Sequence, residues 1–303
     1  MTTTRIALAT CNFHPDLAED DQHLQRALEK LGVEAVAAVW DDPEVDWSAF
    51  DLVVVRSVWD WSQRRDEFVT WAQGVPNLLN RAEILAWNTD KAYLRELDAA
   101  GMPTIPTIWL TPEQKLSSRA VHTRMPAHGD FVIKPTISRG ARDTGRYQAG
   151  EATSRGTAIK RAVQLLADGR EVMIQRYLTS VDTVGEAALV YIGGEFSHAV
   201  RKGAMLQGQF RGAAGLYKQE SMSLREVSDA ERELADRAVA FARERLQADH
   251  PGEDLLYARV DLVDGDDGSP LVLELEVVEP TLFLAFRPEA AEELAQAILA
   301  RLA

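Results

Sequence analysis

Residues 257–284 read YARVDLVDGDDGSPLVLELEVVEPTLFL. Two apolar runs, 255–263 and 271–277, flank Asp264-Gly265-Asp266-Asp267-Gly268, where carboxylates and glycines crowd as they do in tight turns. The pattern predicts two strands joined across that turn. The second run carries Glu274 and Glu276, two positions apart and therefore on one face of a strand. On an otherwise apolar strand these carboxylates repel each other unless a cation or solvent lies between them. If the strands pair, Asp261 reaches the same face. Three carboxylates converging from neighbouring strands make an all-oxygen site suited to Mg²⁺. Arg259, two residues before Asp261, points the same way and invites a phosphate or a carboxylate substrate. The competing arrangement is a solvated hairpin in which Arg259 pairs with Glu274 and Glu276 across the strands.

The 303 residues are too many for one ordinary core and suit two or three compact units. Hydrophobic content of 46% and charged content of 26% are globular values and speak against gross disorder. A net charge of −14 excludes a nucleic-acid backbone or an anionic membrane as the main partner, while leaving room for a local basic pocket that takes ATP. Cys11 stands alone, so no internal disulfide or thiolate metal cluster is expected. The opening MTTTRIALATC reads as a strand rather than a secretory segment, and no apolar run approaches a membrane span. A cytoplasmic protein is expected.

The amino-terminal part alternates strand and helix. Residues 5–10, 33–40 and 51–56 read as strands, the last (DLVVVR) continuous and apolar like a parallel strand buried on both faces. Residues 16–31 read as an amphipathic helix with Leu17, Leu24, Leu28 and Leu31 on its apolar side and Gly32 closing it. Such α/β units bind ligands beyond the carboxyl ends of their strands. Thr10, Arg56, Ser57 and Trp59 fall there and are candidate substrate contacts. The alternative is that Trp59 and Trp61 cap the core while Arg56 pairs with Asp60. Residues 66–74 read as a helix, 78–80 as a short strand or turn, and 91–100 as a helix capped by Thr89 or Asp90 and ended by Gly101.

Further on, DFVIKPTIS places Lys134 at the end of an apolar strand, before a loop at 138–145. Its glycines and hydroxyls could wrap phosphates with backbone N–H groups, although an ordinary hairpin turn has the same composition. No lysine follows the second glycine, so it is not a P-loop. A helix is expected at 157–167, a strand at 172–178 and a hairpin of 185–191 with 195–202 across Gly193-Gly194. The glycine-rich segment 203–215, with Arg211, suits a mobile lid. Long helices are expected at 229–246 and 289–302. His122 and His128 have no metal-like spacing, and His198 reads as a satisfied strand residue.

Together these pieces resemble the ATP-grasp superfamily, in particular carboxylate ligases of the glutathione-synthetase and D-alanine–D-alanine-ligase type. The resemblance implies an ATP-grasp α/β fold: an amino-terminal α/β domain (1–88), a central subdomain with the phosphate loop (89–178) and a carboxyl-terminal subdomain with the metal site (179–303). It implies ATP and Mg²⁺, two ions, with Asp261, Glu274 and Glu276 as metal ligands. Glu276 stands where the family usually has Asn and adds a negative charge. Lys91 and Lys134 match the phosphate-binding lysines. Ser138, Arg139 and Gly140 open the phosphate loop. Gln175, Arg176, Tyr177 and Leu178 match the hinge that holds adenine, with Gln175 replacing a more usual Glu, and Asp182 matches the acidic residue at the ribose. Arg259, Lys202 and Arg211 fit catalytic residues that contact phosphate or support the tetrahedral centre.

A narrower likeness, carried by VVVRSVWDW, LLNRAEILAWNTDK, GGEFSHAVRK and ELEVVEPTLFL, is to the branch containing the cyclo-ligase of D-cycloserine biosynthesis. That branch closes O-ureido-D-serine with ATP, so an amino-acid-like small molecule is the expected substrate. Two other functions fit the motifs: an intermolecular ligase joining an acid to an amine or peptide, and a nucleotide-binding protein without catalysis. Ligases of this superfamily are often homo-oligomers, which makes a homo-oligomer an expectation too.

Overall fold

The computed structural model describes residues 3–203 and 222–302. Strands β1 (Arg5–Thr10), β2 (Glu34–Val39), β3 (Leu52–Ser57) and β4 (Leu78–Leu79) form a parallel sheet in the order β2-β1-β3-β4. Every residue of β3 is buried. Its alternate side chains enter two cores: Leu52 and Val54 pack with helix α1 (Glu19–Lys30), and Val53 and Val55 with helix α2 (Arg65–Gly74). Helices on both faces explain the unbroken apolar run. Helix α1 starts at Glu19 rather than residue 16 because Leu17 turns the chain at φ 67. Leu31 is 48% exposed rather than on the buried stripe, since Gly32 at φ +80 redirects the backbone there.

Two short helices follow, α3 (Ala82–Asn88) and α4 (Tyr93–Ala99). The sequence signals only the second. Their apolar residues Ile84, Tyr93, Leu94 and Leu97 pack into the core of the carboxyl-terminal sheet. The expected boundary after residue 88 thus falls between two helices that share one core.

The central sheet is antiparallel, in the order β5-β8-β6-β7, from β5 (Thr107–Leu110), β6 (Asp130–Pro135), β7 (Gly145–Gln148) and β8 (Val172–Arg176). Helices α5 (Ser118–Arg124) and α6 (Ala152–Ala167) pack on it through Val121, Ala158, Ala162 and Leu165.

The third sheet is also antiparallel. A single turn, α7 (Ser180–Thr183), leads into β9 (Glu186–Ile192), β10 (Glu195–Lys202), β11 (Met222–Leu224), helix α8 (Asp229–Asp249), β12 (Tyr257–Asp264) and β13 (Pro270–Glu276), ordered β11-β10-β9-β12-β13. Gly193 and Gly194 hold φ +60 and +85, as the two-residue hairpin turn between β9 and β10 needs. Helix α8 starts where Ser228 and Glu231 form a reciprocal cap, and it covers one face with Leu234, Ala238 and Ala242. The last helix, α9 (Glu289–Leu299), inserts Leu294 and Ile298 between the other face and α1, joining this sheet to the amino-terminal domain.

β13 is an edge strand, but its outer backbone groups are not free. Asn88 donates to Leu275 O (2.8 Å) and accepts from Val277 N (2.8 Å), while Tyr93 Oη accepts from Leu275 N (2.9 Å). These side chains do what a further strand would do, and they fix the rotation of the strand that carries Glu274 and Glu276. Among the described residues no helix is long and apolar enough to cross a membrane.

Candidate active site

β12 and β13 pair with Asp261 opposite Glu274 and Arg259 opposite Glu276, and a bulge follows Asp261. The alternating pleat sets these side chains on one face, and Arg259, Glu274 and Glu276 line a cavity of about 320 Å³ between the central and carboxyl-terminal sheets, with Asp261 buried behind them. The face is enclosed rather than a solvated hairpin surface: Asp261 and Arg259 are buried, and Glu274 and Glu276 keep side-chain exposures of 24% and 29%.

Each carboxylate is met by a cation. Arg259 donates from Nε to Asp261 Oδ1 (2.8 Å) and from Nη2 to Oδ2 (3.0 Å), and it also reaches Glu276. Lys202 lies 2.8 Å from Asp261 and 2.8 Å from Glu186, its register partner on β9. Lys91 bonds Glu274 (2.9 Å) and donates to Ser138 O (2.6 Å). Burial opposes charge on Asp261, but Arg259 and Lys202 outweigh it and hold the carboxyl below the usual range. Burial likewise opposes charge on Lys202, and Asp261 and Glu186 reverse the balance and raise it. Glu276 shifts the other way: burial pushes its carboxyl up, and the charges of Glu274 and Asp261 add to that against Arg259. For Lys134, burial pulls the ammonium down; Glu274 opposes this and Lys91 adds to it.

The oxygens of Asp261, Glu274 and Glu276 lie within 4.8 Å of one another. Hard carboxylate donors at that spacing suit Mg²⁺, which takes one or two of them and completes its shell with phosphate oxygens and water. A carboxyl crowded by two like charges is also what a divalent ion relieves, so the residues present fit the metal.

Lys134 lines the cavity at the end of β6, and the loop after it borders the cavity with Ser138, Arg139, Gly140, Ala141 and Thr144. Gly140, Ala141 and Asp143 all have positive φ, and the loop is pinned from below: Arg170 bonds Asp143 (2.6 Å) and Ile137 O (2.9 Å), and Arg161 also reaches Asp143. Gln175, Arg176, Tyr177 and Leu178 form another wall. Leu178 joins Ile105 and Val263 in an apolar slot that a flat heterocycle would fill. The Gln175 side chain is turned to Thr107 Oγ1 (2.8 Å), Arg176 pairs with Asp266 (3.0 Å), and Asp182 accepts from Tyr177 Oη (2.5 Å) and Arg146 (3.1 Å) without lining the cavity.

The candidate substrate contacts of the amino-terminal domain lie elsewhere. Arg56 is 1% exposed and donates to Asp21 Oδ1 (2.9 Å) and Pro280 O (2.7 Å) rather than pairing with Asp60. Ser57 donates to Asp21 Oδ2 (2.6 Å) and accepts from Ala18 N (2.9 Å), and Thr10 donates to His14 O (2.5 Å). These groups hold α1 and the 280 turn to the sheet, and none borders the cavity. Trp59 stacks under the Arg139 guanidinium at 4.4 Å and touches the site through it. Arg211, and the expected lid beyond Gly203, lie outside the described residues. Sequence reasoning missed Glu186 and Glu279, both of which line the cavity, as does Trp61. Glu186 had one available signal, its place opposite Lys202 in the hairpin.

Comparison with known proteins gives the same architecture. Residues 6–80 match the family model described as the amino-terminal domain of the D-cycloserine synthetase DcsG. The cycloserine biosynthesis protein DcsG of Streptomyces lavendulae is 37% identical over 304 residues, covering 98% of each chain. This chain belongs to the DcsG family. A crystal structure of the D-cycloserine synthetase DcsG superposes with a TM-score of 0.85 at 34% identity, covering 99% of this chain and 100% of that one. The ATP-grasp ligase PsnB, solved with a minimal precursor, Mg and ADP, shares the fold at 20% identity and a TM-score of 0.61, covering 100% of this chain and 99% of its own. DcsG proteins are thus ATP-grasp ligases in fold, with one parallel sheet and two antiparallel ones.

Proposed function

We propose that the chain closes O-ureido-D-serine to D-cycloserine, using ATP and releasing ADP and phosphate. One observation carries the reading: the full-length match to a cycloserine biosynthesis protein, in a chain whose cavity sets three carboxylates against Lys91, Lys134, Lys202 and Arg259. Adenine fits the slot of Ile105, Leu178 and Val263. Lys91, Lys134 and the backbone of the 138–145 loop hold the phosphates. Asp261, Glu274 and Glu276 would hold Mg²⁺, which when bound neutralises phosphate oxygens.

The substrate carboxylate attacks the γ-phosphorus and ADP leaves. Arg259 and Lys202 stabilise the oxyanion that forms when the oxygen-bound nitrogen of the same molecule then attacks the acyl carbon and phosphate departs. D-cycloserine has no carbamoyl group, so the one on that nitrogen is hydrolysed off as carbon dioxide and ammonia. Because nucleophile and acyl group share one molecule, orientation supplies much of the rate and no second amine site is needed.

The test is ADP release with Mg²⁺ and O-ureido-D-serine, with the product identified by mass spectrometry. D-cycloserine formed from that compound alone supports the reading. ADP formed only when an acid and a separate amine are both present would move the function to intermolecular ligation.

A further inference from the structure

Glu279 lies three residues beyond Glu276, in the turn that leaves β13, and borders the same cavity. The carbonyls on either side of it are held: the Tyr257 hydroxyl lies 3.0 Å from Val278 O, Arg56 donates to Pro280 O (2.7 Å), and Arg259 donates to Thr281 O (3.1 Å). The side chain is 4% exposed, and its Oε1 accepts from the Trp61 indole (2.7 Å) and from Arg139 Nε (2.7 Å). Its Oε2 is closed off from water and has no hydrogen-bond partner. A buried carboxylate oxygen left without a donor is costly, and here residues of β3 and β12 together with Trp61 and Arg139 hold it in that condition. The position makes sense if the missing donor arrives with a ligand.

We propose that Glu279 Oε2 is the acceptor for the α-ammonium of the amino-acid substrate. The assignment rests on the reaction given above, which brings the substrate carboxylate to Arg259 and the three-carboxylate face. One carbon away from that carboxylate is the ammonium, the only cation the substrate carries. Glu279 adjoins the same face, and Arg259 spans the two by bonding Asp261 and Thr281 O. Trp61 and Arg139 occupy Oε1, and because Oε2 is shielded the ammonium reaches it as the carboxylate turns toward the cavity. The buried Arg56–Asp21 pair, which does not line this cavity, acquires a positioning role by holding Pro280.

The test titrates the wild type and Glu279→Gln, each loaded with MgADP, with amino acids and with the same acids lacking the amino group, O-ureido-D-serine and its des-amino counterpart among them. The wild type is expected to prefer the amino form by about tenfold or more, the size of one charge-assisted hydrogen bond. Glu279→Gln is expected to lose that preference while binding the des-amino acids as the wild type does. Equal preference in the two proteins, no preference in the wild type, or no amino acid bound overturns the assignment. Failure of the proposed reaction is visible separately, as preferential binding of some amino acid without D-cycloserine from O-ureido-D-serine. Glutamine keeps an Oε1 acceptor for Trp61 and Arg139. Where that variant does not fold, Glu279→Asp, which keeps the charge but withdraws it, is expected to weaken the amino forms alone; unchanged affinity for them overturns the assignment.

Discussion

Lys202 reaches past β9 to Asp261: its ammonium lies 2.8 Å from the Asp261 carboxylate on β12 and 2.8 Å from Glu186 on the intervening strand. The lysine backbone is held as closely as its side chain. A Cβ placed on Gly185, whose φ is +85, would stand 2.3 Å from Lys202 O. Gly185→Ala therefore has to displace the end of β10 as well as adopt a left-handed conformation. Gly252 has φ +86 with nothing within 4 Å, so Gly252→Ala meets the backbone strain alone, about 1–2 kcal/mol. Urea denaturation is expected to show a larger loss for Gly185→Ala. ADP release is expected to fall by about tenfold or more in that variant only, because Lys202 is moved off Asp261. Equal effects of the two substitutions would mean that β10 ends without constraint from Gly185.

Glu274 bonds Lys91 at 2.9 Å, and Lys91 and Lys134 hold its carboxyl below the usual range against burial and the charge of Asp261. Glu274→Gln keeps the shape and the bond to Lys91 but removes the anion. The fold is expected to persist, with thermal unfolding near that of the wild type, while ADP formation falls by about 10³-fold, the effect of about 4 kcal/mol of lost transition-state stabilisation. Turnover like that of the wild type would remove Glu274 from the metal site.

Glu276 pairs with Arg259, and the resemblance to ATP-grasp ligases implies that it stands where Asn is usual. The extra anion is compatible with a strong metal requirement, since affinity for a hard divalent ion rises with the number of charged ligands. Glu276→Asn is expected to keep the fold and to raise the Mg²⁺ concentration for half-maximal ADP release by about tenfold. An unchanged Mg²⁺ dependence would make Glu276 a partner of Arg259 alone.

The hairpin was legible because its information is local. Alternation, the Asp-Gly turn and the two-residue spacing of Glu274 and Glu276 together predict a shared face, and the register that sets Asp261 opposite Glu274 needs only that turn. The parallel amino-terminal strands were legible for the same reason. Arg56 was not: its partners, Asp21 and Pro280, are 35 and 224 residues away, and nothing near it signals a buried pair. Helix α3 escaped because its purpose lies elsewhere, in the Asn88 amide that completes the edge of β13. Glu279 sits just past a strand end and reads as an ordinary loop carboxylate until Trp61 and Arg139 are brought to it.

His198 offers a test of the packing between β10 and the chain leading to α9. The ring is buried, with Nε2 3.0 Å from Leu282 O and Nδ1 3.0 Å from the Ser197 hydroxyl. Burial, reinforced by Arg287, pushes its pKa down to about 4. In the unfolded chain the value is about 6.5. Between these values the unfolded state binds more protons than the folded one, so stability rises with pH there and is lost as pH falls from about 6.5 towards about 4. Taking the wild type from pH 7.5 to pH 5 is expected to cost about 2 kcal/mol through this residue. His198→Gln, which can still donate to Leu282 O, is expected to lose that much less over the same interval, as read from urea denaturation at each pH. Other titrating groups contribute to both proteins alike, so the difference isolates the ring. Equal losses would mean that His198 takes up its proton inside the fold, at Nδ1 beside the Ser197 hydroxyl, since Nε2–H already donates to Leu282 O.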